Sequence, residues 1–356
     1  MKKNKIAIAC QGGGSQTAFT AGVLKSFFKN DVHKKKDIVS FSGTSGGAVC
    51  ATLSWYSLLK AENGDTTPVD QRLTNFWRDN STQNPMEEAF NDSLVKSVQL
   101  IDKGMIPEWK ISPDSFFSKT MLSASEAMLP RKDFYDFKGL LESYIDFKEL
   151  KTLVKPSSPV LMLGAANVLS GEFKKFNSRK IDEIQVEAIL ASAAVPSIFP
   201  AVQIGKDAYW DGLFSDNPPT DELLDRDFVG ENHIPDELWV IQINPKTCKT
   251  VPRTPAEIAD RRNEMIGNES LFQDLKHIHM VNKFLKKRAF TKEFVEQRKL
   301  KPVDIFIIEM SQELLDNLDY SSKLNRNAKY IRHLMEDGEK QGERFLKNPS
   351  EMRHSL

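Results

Sequence analysis

The sequence predicts an α/β fold built on a mainly parallel sheet. Short apolar runs recur along the chain: "IAIAC" (6–10), "IVSFS" (38–42), "VLMLGAANV" (160–168), "LWVIQI" (238–243) and "VDIFII" (303–308). They are near-continuous rather than alternating, as strands covered on both faces are. Helical patterns lie between many of them, the order that makes parallel sheets. No internal repeat, low-complexity tract or long Gly/Ser linker divides the 356 residues. Residues 1–356 are therefore read as one domain, large enough to bury a substantial core.

Composition narrows the function. Lys+Arg and Asp+Glu both number 49, so the formal net charge is zero and gives no prior for a nucleic-acid partner. The basic clusters Lys34–Lys36 and Lys286–Arg288 read as solvated faces, with an anionic lipid surface as the sharper alternative. Cys10, Cys50 and Cys248 are too few and too scattered for a disulfide framework or a metal site, and Cys10 and Cys50 sit in apolar stretches as small core residues. The start "MKKNKIAIACQGGG" has an apolar core of five residues, Ile6–Cys10, shorter than the ~7–15 of a secretory signal. No stretch approaches the ~18 apolar residues of a membrane span. The expectation is a soluble, cytoplasmic protein.

The first strand runs into Gly12, Gly13 and Gly14, followed by a helix over Thr17–Phe28. Such a run is either a tight turn or a backbone cradle for negative charge. A phosphate cradle of the Walker type needs a Gly-Lys-Ser/Thr ending, and "GGGSQTA" has no lysine there; a G-x-G-x-x-G register fails at its third glycine. Nucleotide binding is thus the weaker reading.

The second strand runs into "GTSGGAVCATLSWYSLL". Gly43, Ser45 and Gly47 form G-x-S-x-G between an apolar strand and an apolar helix over Ala48–Leu59, the context of a nucleophile elbow. The bland reading is a glycine-rich turn with Ser45 as a helix cap. Residues 84–137, rich in Met and aromatics, read as a helical insertion over the sheet: ordinary packing, or an adaptable apolar cap for a lipid chain.

Farther on, "AYWDGLFSDNPP" delivers Asp211 onto Gly212 at a strand end, where an acid can project into a site or simply make an Asp-Gly turn. In a partly desolvated site its pKa would rise from ~3.9 into a range useful for a base. Of the six histidines, His233, His277 and His279 follow the serine and an acid in triad order, but none has a strand-end or Gly-rich context. In "RRNEMIGNESLFQDLKHIHMVNKFLKK" (261–287), Met265, Leu271, Leu275, Ile278 and Phe284 recur at helical spacing. Helices are expected over about 255–290 and 321–346, the latter with Tyr330, Ile331, Leu334 and Phe345 apolar.

Taken in order, the glycine run, "GTSGG", "ASAAVPSIFP" (191–200) and "DG" followed by "NPP" (211–219) resemble the patatin-like phospholipase family across roughly residues 5–245. The "RRNEMIGNESLFQDLKHIHMVN" stretch resembles the C-terminal part of bacterial members. The resemblance implies a three-layer fold, with its core over about 5–245 and 300–310 and a helical cap over about 84–137. It implies a Ser–Asp dyad: Ser45 as nucleophile, Asp211 as general base, and N–H groups of Gly12, Gly13 and Gly14 as an oxyanion hole. Gly43, Gly47 and Gly212 support these motifs, and Pro196 belongs to a segment packed beside the site. The family's glycine motif usually continues G-G-G-x-R/K-G; here Gln16 and Thr17 stand in the last two places. The implied activity is acyl hydrolysis of lipids or phospholipids through an acyl-enzyme, with transient contact to a membrane surface. No metal or organic cofactor is implied. A silent lipid-binding or scaffold protein is the non-enzyme alternative.

Overall fold

The computed structural model describes residues 3–102, 131–196, 199–319 and 321–354. All five apolar runs form strands: β1 (Lys5–Cys10), β2 (Asp37–Gly43), β3 (Val160–Asn167), β7 (Glu237–Ile241) and β8 (Asp304–Ile308). They pair in parallel in the order β3–β2–β1–β7–β8. Three further strands, β4 (Phe173–Asn177), β5 (Val202–Ile204) and β6 (Asp207–Asp211), add antiparallel pairs at the β3 side.

Successive side chains of a strand point to opposite faces, and β1 shows the two layers this makes. Ile6, Ile8 and Cys10 join a core with helices α1 (Ala18–Lys29), α2 (Gly46–Glu62) and α3 (Gln71–Asn80), while Ala7 and Ala9 face a second core. The long helix α6 (Pro255–Lys286) supplies Leu271, Leu275 and Ile278 to that second core. Helices thus cover both faces of a mostly parallel sheet, as the sequence predicts. On the first face α7 (Ala328–Lys347) lies close against α1. A Cβ at Gly22 would stand 2.1 Å from the Met335 carbonyl, and one at Gly338 2.1 Å from that of Phe19.

Some expectations shift. Met265 and Phe284 of α6 are exposed rather than packed. The C-terminal helix does not start at Ser321: a short 3₁₀ turn over Ser321–Leu324 precedes α7, whose true cap is Asn327, accepting from the Lys329 and Tyr330 N–H groups. Of the expected insertion over 84–137, α4 (Pro85–Asp102) and a short helix over Lys132–Tyr135 are described, and α5 (Phe137–Tyr144) begins at its last residue; 103–130 lie outside the described residues. Among the described residues, no helix is long and apolar enough to cross a membrane.

Candidate active site

Sheet topology brings the candidate residues together. Strand β3 pairs with β2 over Val160–Leu163 and with β6 over Ala165–Asn167, while β4 pairs with Met162–Ala166. Since β4 occupies one edge, β2 and β6 share the other. One runs parallel to β3 and the other antiparallel, so their C-terminal ends, Gly43 and Asp211, meet head-on beside Gly164. Glycine at that meeting point has a steric reason: a Cβ on Gly164 would sit 2.8 Å from the Thr44 hydroxyl and 2.9 Å from the Asp216 carbonyl.

Ser45 leaves β2 at φ 57°, the left-handed region that costs a non-glycine residue energy. It stands at the N-terminus of α2, where the helix dipole favours negative charge. Gly43 and Gly47 let the turn close: a Cβ on Gly43 would lie 2.5 Å from the Gly47 carbonyl, and one on Gly47 2.2 Å from that of Cys10. The Ser45 N–H donates to the backbone and side-chain oxygens of Ser192, at 3.0 and 3.1 Å. The Ser192 hydroxyl in turn donates to the Gly164 carbonyl at 2.6 Å.

Asp211 is fully buried at the end of β6. Along "DAYWD" Tyr209 and Asp211 point inward and Trp210 outward, the period of two that aims the acid at the site. Its N–H donates to the Ala194 carbonyl at 2.9 Å, so the segment leading to Pro196 packs directly beside it. Asp211 Oδ1 accepts from the Leu213 N–H at 2.8 Å. Oδ2 has no hydrogen-bond partner among the described residues, although the Ser45 hydroxyl is near enough to favour the carboxylate. Burial raises the Asp211 pKa to about 7, outweighing the opposing pull of the Ser45 hydroxyl, the Leu213 N–H and the Lys323 ammonium. Gly212 fits because a Cβ there would stand 2.5 Å from the Gly164 carbonyl.

The glycine loop sits where chain direction across the sheet reverses. From β1 the chain winds to β2 and β3, then returns to β7 on the other side of β1. Such switch points open a crevice beyond the strand carboxyl ends. Gln11 bridges it: Oε1 accepts from the Ile243 and Asn244 N–H groups, both at 2.8 Å. Its Nε2 donates to the Gly267 carbonyl at 3.0 Å and Asn268 Oδ1 at 2.9 Å on α6.

The three glycines divide the work. The Gly12 N–H donates to Asn217 Oδ1 at 2.7 Å, so it is engaged and narrows the expectation that all three donors face the oxyanion. Gly13 and Gly14 N–H groups donate to no group among the described residues. Gly12 instead backs onto Ser45: a Cβ there would be 2.9 Å from the Ser45 Cβ. Gln16, buried, donates through Nε2 to the Ser322 hydroxyl at 2.8 Å.

No histidine hydrogen-bonds Ser45 or Asp211 among the described residues. His233 Nε2 faces the Ser158 carbonyl, His277 pairs with Asp221, and His279 packs edge-on against His354. Sequence reading missed Ser192, Asn217 and Gln11, whose roles are long-range hydrogen bonds without a local signal. Asn217→Ala would orphan the buried Gly12 N–H, while the Gly267 carbonyl would lose Asn217 Nδ2 but keep Gln11 Nε2 as a donor. At about 1–3 kcal/mol for that one orphaned N–H, thermal denaturation should show a drop of a few degrees. An unchanged melting temperature would remove Asn217 as the tie.

A family model described as patatin-like phospholipase matches residues 8–224. Among solved structures, VipD from Legionella pneumophila is 13% identical, with 100% of this chain and 68% of VipD covered and a TM-score of 0.39. The type III effector ExoU is 14% identical, with 98% and 54% covered and a TM-score of 0.34. ExoU in its complex with SpcU, from Pseudomonas aeruginosa, is 14% identical, with 99% and 52% covered and a TM-score of 0.33. The chain spans just over half the length of either ExoU chain. No curated protein matches it.

Proposed function

Because the chain belongs to the patatin-like phospholipase family, we propose that it is a serine acyl hydrolase that cleaves fatty acyl esters of lipids. The observation that carries this reading is Ser45 held at φ 57° on a helix N-terminus, facing a buried carboxyl whose pKa lies at about 7. Strain at a serine is kept only where the surroundings enforce it, and such residues cluster at active sites.

Ser45 Oγ attacks the acyl carbonyl carbon while Asp211 Oδ2 takes the hydroxyl proton. The carbonyl oxygen becomes an oxyanion within reach of the Gly13 and Gly14 N–H groups and the α2 N-terminus. Collapse expels the alcohol, which receives the proton from Asp211, and leaves an ester on Ser45. Water then attacks that ester, giving its proton to Asp211. A second collapse releases the fatty acid and returns the proton to Ser45. A carboxyl near neutrality suits both directions of proton transfer.

Met265, 58% exposed, and Ile266 directly precede Gly267 on α6, whose carbonyl accepts from Gln11. Apolar surface beside the mouth suits a substrate drawn from a lipid interface. In this reading residues 1–356 act as one unit, because α6 and α7 complete the two helical layers.

The test is a fluorophosphonate probe together with a chromogenic medium-chain ester and a phospholipid. Wild type should label and turn over, and Ser45→Ala should do neither, with turnover down by at least about 10³-fold. Equal, marginal activity of both proteins with lipid binding intact would leave a silent lipid-binding protein.

A further inference from the structure

We infer that Ser192 is a positioning residue for the dyad, and that the segment Ser192–Ala194 sets the spacing between nucleophile and base; this rests on the hydrolase reading above. The segment bonds the backbone of both. The Ser45 N–H donates to the Ser192 carbonyl at 3.0 Å and to its hydroxyl oxygen at 3.1 Å. Two residues on, the Ala194 carbonyl accepts the Asp211 N–H at 2.9 Å. Strands β2 and β6 do not pair with each other. The separation of their ends therefore depends on what bridges them: β3, the Thr44 hydroxyl on the Asp216 carbonyl, and this segment.

The Ser192 hydroxyl uses both of its capacities. It accepts from the Ser45 N–H and donates to the Gly164 carbonyl at 2.6 Å. That carbonyl is the atom Gly212 packs against, since a Cβ on Gly212 would stand 2.5 Å from it. One fully buried hydroxyl thus ties the turn of the nucleophile to the part of β3 that backs onto the residue after the base. Ser192 ends a short helix over Val186–Ser192. Satisfying the carbonyls of that helix end accounts for the bond to the Ser192 carbonyl but not for the bond to its hydroxyl. Ser45 needs the second tie, because its φ of 57° persists only where the surroundings enforce it. Its N–H is thereby engaged in positioning, and the oxyanion is left to other donors.

The closing experiment sets Ser192→Ala against Ser178→Ala in the full chain. The buried Ser178 hydroxyl makes the same kind of bond, accepting the Leu161 N–H of β3 at 2.8 Å, but touches neither Ser45 nor Asp211. Ser192→Ala should lower kcat for the chromogenic ester by about 10²-fold with KM changed less than about twofold, the mark of reacting groups moved apart. Fluorophosphonate labelling should slow by the same factor. Ser178→Ala should melt about as early yet keep kcat and labelling within about twofold of wild type. Ser192→Cys, of the same shape but with a weaker donor and acceptor, should fall between alanine and wild type, and it carries the test if the alanine variant does not fold. The Ser45 amide should exchange with solvent about tenfold faster in Ser192→Ala than in Ser178→Ala. Wild-type kcat in a folded Ser192 variant, or an equal loss in Ser178→Ala, overturns the inference. A wild type inert to both fluorophosphonate and ester sinks the hydrolase reading instead, and exchange at the Ser45 amide still decides whether the Ser192 hydroxyl holds the turn.

Discussion

Asp211→Asn is expected to lower turnover by at least about 10³-fold and, at pH 8, to raise the melting temperature. The two effects have one cause. Burial raises the Asp211 pKa to about 7, whereas in the unfolded chain it titrates near ~3.9. Between those values the native protein holds a proton that the unfolded chain has released, so stability falls as pH rises through that window and levels off above it. Asparagine does not titrate, and its carbonyl can still accept from the Leu213 N–H. The gain is therefore absent near pH 4, grows toward pH 7, and is bounded at roughly 4 kcal/mol by the rise to about 7. Thermal melts of both proteins from pH 4 to 9 measure it, and parallel curves would show that Asp211 is not held protonated. In wild type, kcat/KM should climb with pH around a midpoint near 7, since only the carboxylate accepts the serine proton. Alanine at His233, His277 or His279 should leave most of the activity. Loss at one of them in a folded protein would replace the dyad with a triad.

The parts of this molecule that were legible in the sequence are those whose signal is local. Five buried strands announce themselves as apolar runs, because a parallel strand covered on both faces has no polar side to show. β4, "FKKFN", does not: it is a short, partly exposed antiparallel strand whose pattern resembles a loop. Ser45 and Asp211 were marked by turn chemistry, a glycine-flanked serine after one strand and an acid before glycine after another. What held them could not be read so. Ser192 contacts Ser45 across 147 residues, and Asn217 reaches Gly12 across 205. Asn and Ser are common in loops, and only the head-on meeting of β2 and β6 gives these particular ones their partners. The start of α7 was recoverable, since Asn327 is an ordinary N-cap residue after "NR".

Replacing the loop glycines by alanine should separate a wall from a donor. Gly12→Ala places a methyl 2.7 Å from the Thr44 carbonyl, 2.9 Å from Ser45 Cβ and 2.9 Å from Asn217 Oδ1. Two of these neighbours belong to the nucleophile turn itself, so the methyl fits only by displacing Ser45. Turnover should fall by about 10³-fold or more, on the scale at which misplaced reacting atoms cost rate, and the protein should also melt earlier. Gly13→Ala is different. Its φ of 173° is open to any residue, and the new methyl meets chiefly Ile243 Cγ2, at 2.4 Å. The loop then tilts its N–H away from the oxyanion, and kcat should drop by about 10²–10³-fold with KM little changed, the signature of a donor used only in the transition state. Since the obstacle is a side chain, Ile243→Ala in the same protein should restore part of kcat despite its own cost in packing. The same second change should do nothing for Gly12→Ala, whose obstacles are the Thr44 carbonyl, Ser45 Cβ and Asn217 Oδ1 rather than Ile243. Recovery in both, or loss in neither, would mean that the loop does not hold the oxyanion and that Gly46 N–H at the α2 N-terminus has to be tested in its place.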